Sequence, residues 1–265
     1  MNYKLLIIMP RLVDKIKLGK TNLYVSRISF GTIPFGGRGW RKDPAITPEE
    51  AALVLERAFR LGINYWDTAE GYGTHIHVRE GLKRVKREEV VISTKTKAVS
   101  KEEAWQCIKN SLSELDTNYI DIYYMHYVNS IEEFRRRSGA LEALLEAKDS
   151  GMIKYIGVST HKAEVVKFLI EIPEIDVIMA KVNKIGHRTE SPPEMMLEAL
   201  QEAYNAGKGI CIMKILAYGK LNIREALEWA LSLPYVHSIC IGMRTIQEVE
   251  ENLRIYNELI EGLSD

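Results

Sequence analysis

The sequence has few cysteines, no net charge and no long apolar segment. Its three cysteines, Cys107, Cys211 and Cys240, are widely spaced and odd in number. This pattern argues against a disulfide framework and for a reducing compartment, so we expect a cytoplasmic protein. The cysteines lack metal-ligand spacing, and we expect no bound metal. The formal net charge of +0 gives no overall field that would attract nucleic acid or an anionic membrane.

Membrane-spanning and glycine-rich nucleotide-binding segments are missing as well. No apolar run reaches the ~18–20 residues of a membrane span. The run at 5–9 is short, ends at Pro10 and has no small-residue cleavage site after it, so we expect no signal peptide. The stretch FGGRGW (35–40) has the wrong spacing for Gly-x-Gly-x-x-Gly, and Gly19-Lys20-Thr21 lacks the first glycine of a P-loop because residue 14 is Asp.

Short apolar runs alternate with helical patterns along the whole chain. Strict alternation predicts a parallel sheet, and eight such units predict a (β/α)₈ TIM barrel, for which 265 residues suffice. We predict one domain over residues 1–265, with a β-hairpin within residues 1–26 that covers one end of the core. The predicted barrel strands are 27–30, 63–66, 90–94, 120–125, 153–158, 177–182, 210–213 and 239–241.

A Ser/Thr-x-x-Glu capping box predicts the start of several helices. In such a box a hydroxyl and a carboxylate satisfy backbone N–H groups of the first helical turn. The first box, at Thr47 and Glu50, also has Pro48 at the first helical position. The same spacing predicts helix starts at Ser100/Glu103, Ser130/Glu133, Ser191/Glu194 and Thr245/Glu248.

Ionisable residues follow three successive predicted strands. Asp67, Lys95 and His126 end the second, third and fourth strands, and Tyr72 follows Asp67 by five positions. Each has an ordinary alternative: a turn cap, a surface lysine, a core histidine bonded to backbone, and a packed loop tyrosine. The carboxyl ends of barrel strands meet at one face, where ligands bind. The presence of reactive residues at the ends of three successive strands therefore predicts a catalytic site at that face.

Six stretches make the chain resemble the aldo-keto reductase family. The resemblance implies a (β/α)₈ barrel that binds NADPH extended across the carboxyl-terminal face without a Rossmann unit, and that reduces aldehydes and ketones to alcohols. The stretches are LGKTNLYVSRISFGT (18–32), GINYWDTAEGYG (62–73), VVISTK (90–95), SLSELDTNYIDIYYMH (111–126), GMIKYIGVST (151–160) and EEN (250–252).

The resemblance also assigns roles to the four reactive residues. Tyr72 is implied as the general acid, and Lys95 is expected to lower the pKa of its phenol from about 10. Asp67 is implied to hold the Lys95 ammonium in place. His126 is implied to hydrogen-bond the substrate oxygen and orient the carbonyl.

Cofactor contacts are implied at the ends of the later strands. Met179 and Val182 depart from the family's Gln and Tyr, which removes one expected contact to the nicotinamide carboxamide. Glu248 stands where many members have an arginine, so NADH is the alternative to NADPH. The run MKILAYGKL (213–221) resembles a branch that often has a C-terminal iron–sulfur cluster, which we do not expect here. The implied cofactor residues are Ser159, Thr160, Asn183, Lys214, Ile215, Leu216, Gly242, Arg244 and Asn252.

Aromatic loop residues predict the substrate pocket. Phe35, Trp40, Trp66 and Tyr127 are expected to wall the nicotinamide face and to favour apolar carbonyl compounds. The predicted partner is therefore a small carbonyl substrate, and the sequence defines no oligomeric state. Two alternatives are a metal-dependent hydrolase, suggested by His75-Ile76-His77 in a loop, and a regulatory NADPH-binding subunit with little turnover.

Overall fold

A closed barrel of parallel strands forms the centre of the computed structural model, which describes residues 12–36 and 44–262. Strands β3 to β10 follow the order β10-β3-β4-β5-β6-β7-β8-β9, so the last strand closes on the first. The predicted (β/α)₈ barrel is confirmed. In chain order the strands are β1 (Lys15–Lys17), β2 (Tyr24–Ser26), β3 (Ile28–Gly31), β4 (Tyr65–Asp67), β5 (Val91–Thr96), β6 (Ile120–Met125), β7 (Ile153–Thr160), β8 (Val177–Lys181), β9 (Gly209–Met213) and β10 (Ser238–Gly242).

Helices connect the barrel strands and surround them. Both bonds of the capping box form at Thr47/Glu50 and at Ser100/Glu103, as predicted. The box predicted at Ser191 does not form: α7 begins at Pro193 after Pro192, and the Ser191 hydroxyl accepts the Ala163 N–H instead. The helices are α1 (Pro48–Arg60), α2 (His75–Leu82), α3 (Lys101–Leu115), α4 (Ile131–Arg136), α5 (Ser138–Asp149), α6 (Ala163–Ile170), α7 (Pro193–Asn205), α8 (Ile223–Leu231) and α9 (Ile246–Gly262).

The apolar core has two layers because side chains of a strand alternate between the barrel interior and the surrounding helices. In β4, Tyr65 belongs to the interior cluster, whereas the neighbouring Trp66 belongs to the cluster between strands and helices. The antiparallel hairpin of β1 and β2 is confirmed. Its Leu18 and Val25 pack into the interior cluster at the amino-terminal end of the strands, which leaves the carboxyl-terminal mouth to the βα loops.

Polar residues replace apolar ones at the carboxyl ends of β4 and β5. Both strands extend beyond the predicted apolar runs and include Asp67 and Lys95. In the parallel ladder, Asp67 lies opposite Ser93, two residues before Lys95. Among the residues that the structure describes, no helix is long and apolar enough to cross a membrane.

Candidate active site

A buried ion pair joins β4 to β5 at the mouth of the barrel. The Lys95 ammonium donates to both carboxylate oxygens of Asp67, each at 2.6 Å, and to the Thr68 carbonyl at 2.7 Å. The Ser93 hydroxyl donates to Asp67 Oδ1 at 2.5 Å. The Lys95 side chain is 1% exposed and that of Asp67 is 5% exposed. Each charge therefore depends on the other, because water does not solvate either one.

Tyr72 and His126 lie beside this ion pair. Tyr72 ends a short 3₁₀ turn after β4, and the Lys95 Nζ lies 5.2 Å from the centroid of its ring. The rings of Tyr72 and His126 meet edge to face, with centroids 5.8 Å apart and planes at 82°. The structure thus brings together all four residues that the sequence singled out.

Burial raises the pKa of Tyr72 well above its usual value, and the charge of Asp67 raises it further. This is the opposite of the expected effect of Lys95. The physical reason is that burial removes the water that would solvate a phenolate, and this effect outweighs the attraction of the Lys95 ammonium, which lies 5.2 Å from the ring centroid and is bound to both oxygens of Asp67. Tyr72 therefore keeps its proton, which is the state that an acid requires.

The imidazole of His126 is held uncharged. Burial, together with the positive charges of Lys95 and Lys97, lowers its pKa to about 2. A neutral imidazole has one N–H donor and one acceptor nitrogen, so the ring can donate a hydrogen bond to a carbonyl oxygen without carrying charge.

Arg137, at the amino-terminal end of α5, fixes the loops around His126. Its side chain is almost fully buried and donates to three backbone carbonyls: to Ala98 at 3.0 Å, to His126 at 3.0 Å and to Thr96 at 2.8 Å. Arg137 was not among the residues predicted from the sequence. A sequence pattern gives no signal for it, because its partners are backbone oxygens of two distant loops.

A cavity of about 270 Å³ opens beside Tyr72, between β3 and the loops that follow β9 and β10. Its wall includes four of the implied cofactor residues, Lys214, Ile215, Leu216 and Gly242, together with Asp67 and Tyr72. Met213, Tyr218 and Cys240 also line it and were missed. Cys240 is inside the barrel, with its Sγ 3.8 Å from Asp67 Oδ2.

The loop after β9 has a strained backbone where it lines this cavity. Lys214, Ala217 and Tyr218 have positive φ angles of 67°, 48° and 57°. Non-glycine residues rarely adopt this conformation, and it is concentrated at ligand sites.

Three other implied cofactor residues lie at the ends of β7 and β8, away from this cavity wall. The hydroxyls of Ser159 and Thr160 accept the N–H groups of Tyr127 at 2.8 Å and Lys162 at 3.1 Å. The Asn183 amide bonds the backbone of His187 twice, at 3.0 and 2.9 Å. These bonds fix the mouth loops, and the Ser159 hydroxyl keeps its own proton for donation.

Arg244 stands just before the first turn of α9, and Asn252 lies in its second turn. The Arg244 guanidinium donates to the carbonyls of Pro34, at 2.9 Å, and Pro44. Its backbone N–H donates to Glu248 at 2.5 Å. Asn252 is half-buried on α9. Arg244 therefore joins β10 to the loop after β3.

Two residues of the predicted aromatic wall are fully buried. Trp66 lies against Gly81 of α2, because it alternates with the inward-facing Asp67. Phe35 packs against Phe30 and His77. Tyr127 is 38% exposed at the mouth, and Trp40 lies outside the described residues.

His75 and His77 lie in α2, not in a loop as predicted. His75 contacts Glu114 and Thr94, each at 2.7 Å, and His77 contacts the Ile46 carbonyl at 3.0 Å. In the described part of the chain, no three His, Cys, Asp or Glu residues are grouped to hold a metal ion. The histidine pair therefore links helix to strand and loop.

Comparison with known proteins identifies a family. The sequence model of the Aldo/keto reductase family matches residues 27–226. The chain is 25% identical to L-galactose dehydrogenase of Arabidopsis thaliana, over 91% of this chain and 88% of the relative. It is 29% identical to an NADH-specific methylglyoxal reductase of Escherichia coli, over 68% of this chain and 62% of that one.

Solved structures have the same fold. A Pseudomonas aeruginosa protein assigned to the aldo-keto reductases, PA4992, superposes with a TM-score of 0.82 and 26% identity, over 97% of this chain and 99% of that one. The holo form of an aldo-keto reductase from Bacillus halodurans superposes with a TM-score of 0.74 at 23% identity, over 95% and 96% of the two chains.

Proposed function

Because the chain belongs to the aldo/keto reductase family and is therefore an oxidoreductase of carbonyl compounds, we propose that it reduces aldehydes and ketones with Tyr72 as the proton donor. One observation carries this proposal: the buried phenol of Tyr72 lines a cavity and lies against both the Lys95 ammonium and the His126 ring. A carbonyl oxygen placed between Tyr72 and His126 would contact an acid, the phenol, and a neutral hydrogen-bond donor, the imidazole.

The residues of the cavity wall fit a nicotinamide dinucleotide. The wall joins Tyr72 to Lys214 and Gly242, and it includes the strained loop after β9. We propose that Lys214, Ile215, Leu216 and Gly242 hold the cofactor, with Ser159, Thr160 and Asn183 at its nicotinamide end. When bound, the cofactor supplies the hydride.

The protein's own residues then handle the proton. His126 donates a hydrogen bond to the carbonyl oxygen and fixes its direction. Tyr72 transfers its phenolic proton to that oxygen, and the Lys95 ammonium stabilises the resulting phenolate. The Asp67 carboxylate stabilises the positive charge of the buried Lys95 ammonium.

We propose NADPH as the preferred cofactor and NADH as a weaker one. Arg244 stands just before α9, where a phosphate would find N–H donors and a guanidinium, and we propose that Asn252, in the second turn of α9, bonds the adenine. Glu248 places a carboxylate beside Arg244 and opposes an added phosphate charge.

A carbonyl panel tests the proposal. NADPH and NADH oxidation is followed at 340 nm with methylglyoxal, propanal, a ketone and a quinone, and cofactor binding is followed by fluorescence. Turnover of at least one carbonyl is expected. Cofactor binding without any turnover would refute catalysis and favour the regulatory-subunit alternative.

We also propose a cytoplasmic location, which the cysteine pattern favours.

A further inference from the structure

Tyr72 stands on a short turn that needs outside contacts to fix its place. The turn Glu70–Tyr72 follows β4, and its backbone forms bonds from the Tyr72 N–H to the Ala69 carbonyl at 2.9 Å and from the Gly73 N–H to the Glu70 carbonyl at 3.4 Å. Because both bonds lie within the turn, they fix its shape and not its position relative to β5.

The carboxylate of Glu70 joins this turn to the end of β5. Glu70 Oε2 accepts the hydroxyl of Thr96, the last residue of β5, at 3.0 Å, and Glu70 Oε1 accepts the thiol of Cys107 on α3 at 3.3 Å. Burial raises the pKa of the Cys107 thiol to about 11, so the thiol keeps the proton that it donates. Hydrogen bonds to an ionised carboxylate are stronger than those between neutral groups. The bond between Thr96 and Glu70 therefore sets where the turn lies relative to β5.

Thr96 also holds the backbone at His126. Its carbonyl accepts the His126 N–H at 2.7 Å and the Arg137 guanidinium at 2.8 Å. Its hydroxyl oxygen accepts the Ala98 N–H at 3.1 Å, and a hydroxyl has one proton to donate, which here goes to the carboxylate. Thr96 is 1% exposed and directly follows Lys95 in β5. One buried residue thus connects the segments that carry the phenol, the ammonium and the imidazole.

We propose that Thr96 and Glu70 are positioning residues for carbonyl reduction, because their bond holds the Tyr72 phenol against the His126 imidazole so that one carbonyl oxygen can contact both. The two rings belong to segments that follow different strands, β4 and β6, and their centroids are 5.8 Å apart. A proton donor must lie within about 3 Å of its acceptor, and a displacement of ~1 Å can cost about 10²-fold in rate. This inference rests on the proposed carbonyl reductase function.

Two pairs of variants isolate the bond. Thr96→Val removes the hydroxyl and keeps the backbone bonds of residue 96, whereas Thr96→Ser keeps the hydroxyl. Glu70→Ala removes both acceptor oxygens, whereas Glu70→Gln keeps one for Thr96. We expect Thr96→Val and Glu70→Ala to lower kcat by about 10- to 100-fold and to leave the Kd of NADPH within about twofold. Thr96→Ser and Glu70→Gln should keep kcat within about threefold of the wild type.

Thr21→Val is the matched control at the opposite end of the barrel. Thr21 is 3% exposed, and its hydroxyl donates to the Leu18 carbonyl at 2.6 Å and accepts the Leu23 N–H at 3.2 Å. Like Thr96, it accepts the N–H of the residue two positions later. Both valine variants should therefore lower the urea midpoint of unfolding by a similar amount, whereas only Thr96→Val should lower kcat.

Two further measurements separate positioning from a general loss of structure. The double variant of Thr96→Val and Glu70→Ala should turn over within about threefold of the slower single variant, because both changes remove the same bond, whereas independent effects would multiply. The solvent isotope effect on kcat in D₂O, at saturating NADPH, should be larger in Thr96→Val than in the wild type. The reason is that transfer of the phenolic proton then limits more of the rate.

The outcomes separate this inference from the proposed function. Wild-type kcat in Thr96→Val and Glu70→Ala, losses that multiply in the double variant, or an unchanged solvent isotope effect would overturn the positioning role alone. So would a loss in Thr96→Ser as large as that in Thr96→Val, or an equal loss of kcat in Thr21→Val. Absence of wild-type turnover with every carbonyl compound would instead overturn the proposed function. If Thr96→Val fails to fold, Glu70→Ala and Glu70→Gln decide the question.

Discussion

The buried pair of Asp67 and Lys95 predicts that mutations of the two residues are strongly non-additive. The perturbations are Asp67→Asn, Lys95→Met and the double variant. Each single variant leaves one charge in a site where the two side chains are 5% and 1% exposed. Removing one partner of a buried ion pair costs about 3–5 kcal/mol of the free energy of unfolding, since the remaining charge is neither solvated nor paired.

The double variant carries no charge at this place. Independent effects would sum to about 6–10 kcal/mol, whereas replacing both members of a buried pair costs little when the volume is kept. We expect the double variant to lose no more than about 3 kcal/mol. Ser93 reduces the cost of Lys95→Met somewhat, because its hydroxyl still donates to Asp67.

Urea unfolding followed by tryptophan fluorescence measures these free energies, with the m-value as a check that the denatured state is unchanged. The exposed pair of Lys184 and Glu225 is the matched control, and its coupling should stay below about 1 kcal/mol. Additive losses for Asp67→Asn and Lys95→Met would refute the reasoning that each charge depends on the other.

Three further predictions concern residues around this pair. Ser93→Ala should lower kcat roughly tenfold with unchanged cofactor affinity, since Asp67 loses a 2.5 Å donor, and Ser93→Thr should restore much of it. Burial lowers the pKa of His126 to about 2, so below pH 6.5 the imidazole is protonated in the unfolded chain but not in the folded chain. Between pH 7 and pH 5 the free energy of unfolding of the wild type should therefore fall by about 2 kcal/mol more than that of His126→Gln. Arg244→Ala should raise the KM of NADPH about tenfold and that of NADH less than twofold.

Each of these has a contrary outcome. A higher cofactor Kd in Ser93→Ala would mean that Ser93 shapes the cofactor site and not Asp67. Parallel pH–stability curves for wild type and His126→Gln would show that the imidazole is not kept neutral by folding. Equal effects of Arg244→Ala on both cofactors would indicate that Arg244 only joins the loop after β3 to β10.

The barrel could be predicted from the sequence because its strands are apolar on both faces for most of their length. The predicted strands were too short where the residues stop being apolar. Asp67 and Lys95 belong to β4 and β5 because the ladder continues while the interior becomes polar at the mouth. The capping box predicted at Ser191 does not form because Pro192 and Pro193 set the backbone before the helix, which the Ser-x-x-Glu spacing alone does not show.

The residues brought together at the mouth could be found because each stands near the end of a strand. The alternation of side chains along a strand also implies that Trp66 faces away from Asp67, so the burial of Trp66 against the helices could have been predicted. Arg137 was not predictable in this way. Its partners are backbone carbonyls of other segments, and only the folded chain brings them within 3.0 Å.

The hydroxyl of Tyr72 is the proposed proton donor, and Tyr72→Phe tests this role. The measurement is kcat for carbonyl reduction at saturating cofactor, with the Kd of NADPH determined by fluorescence in the same preparation. Loss of the proton donor should lower kcat by about 10²- to 10⁴-fold and change the Kd less than twofold, whereas the distant Tyr235→Phe should change neither. A Tyr72→Phe enzyme that turns over at the wild-type rate would contradict the central claim.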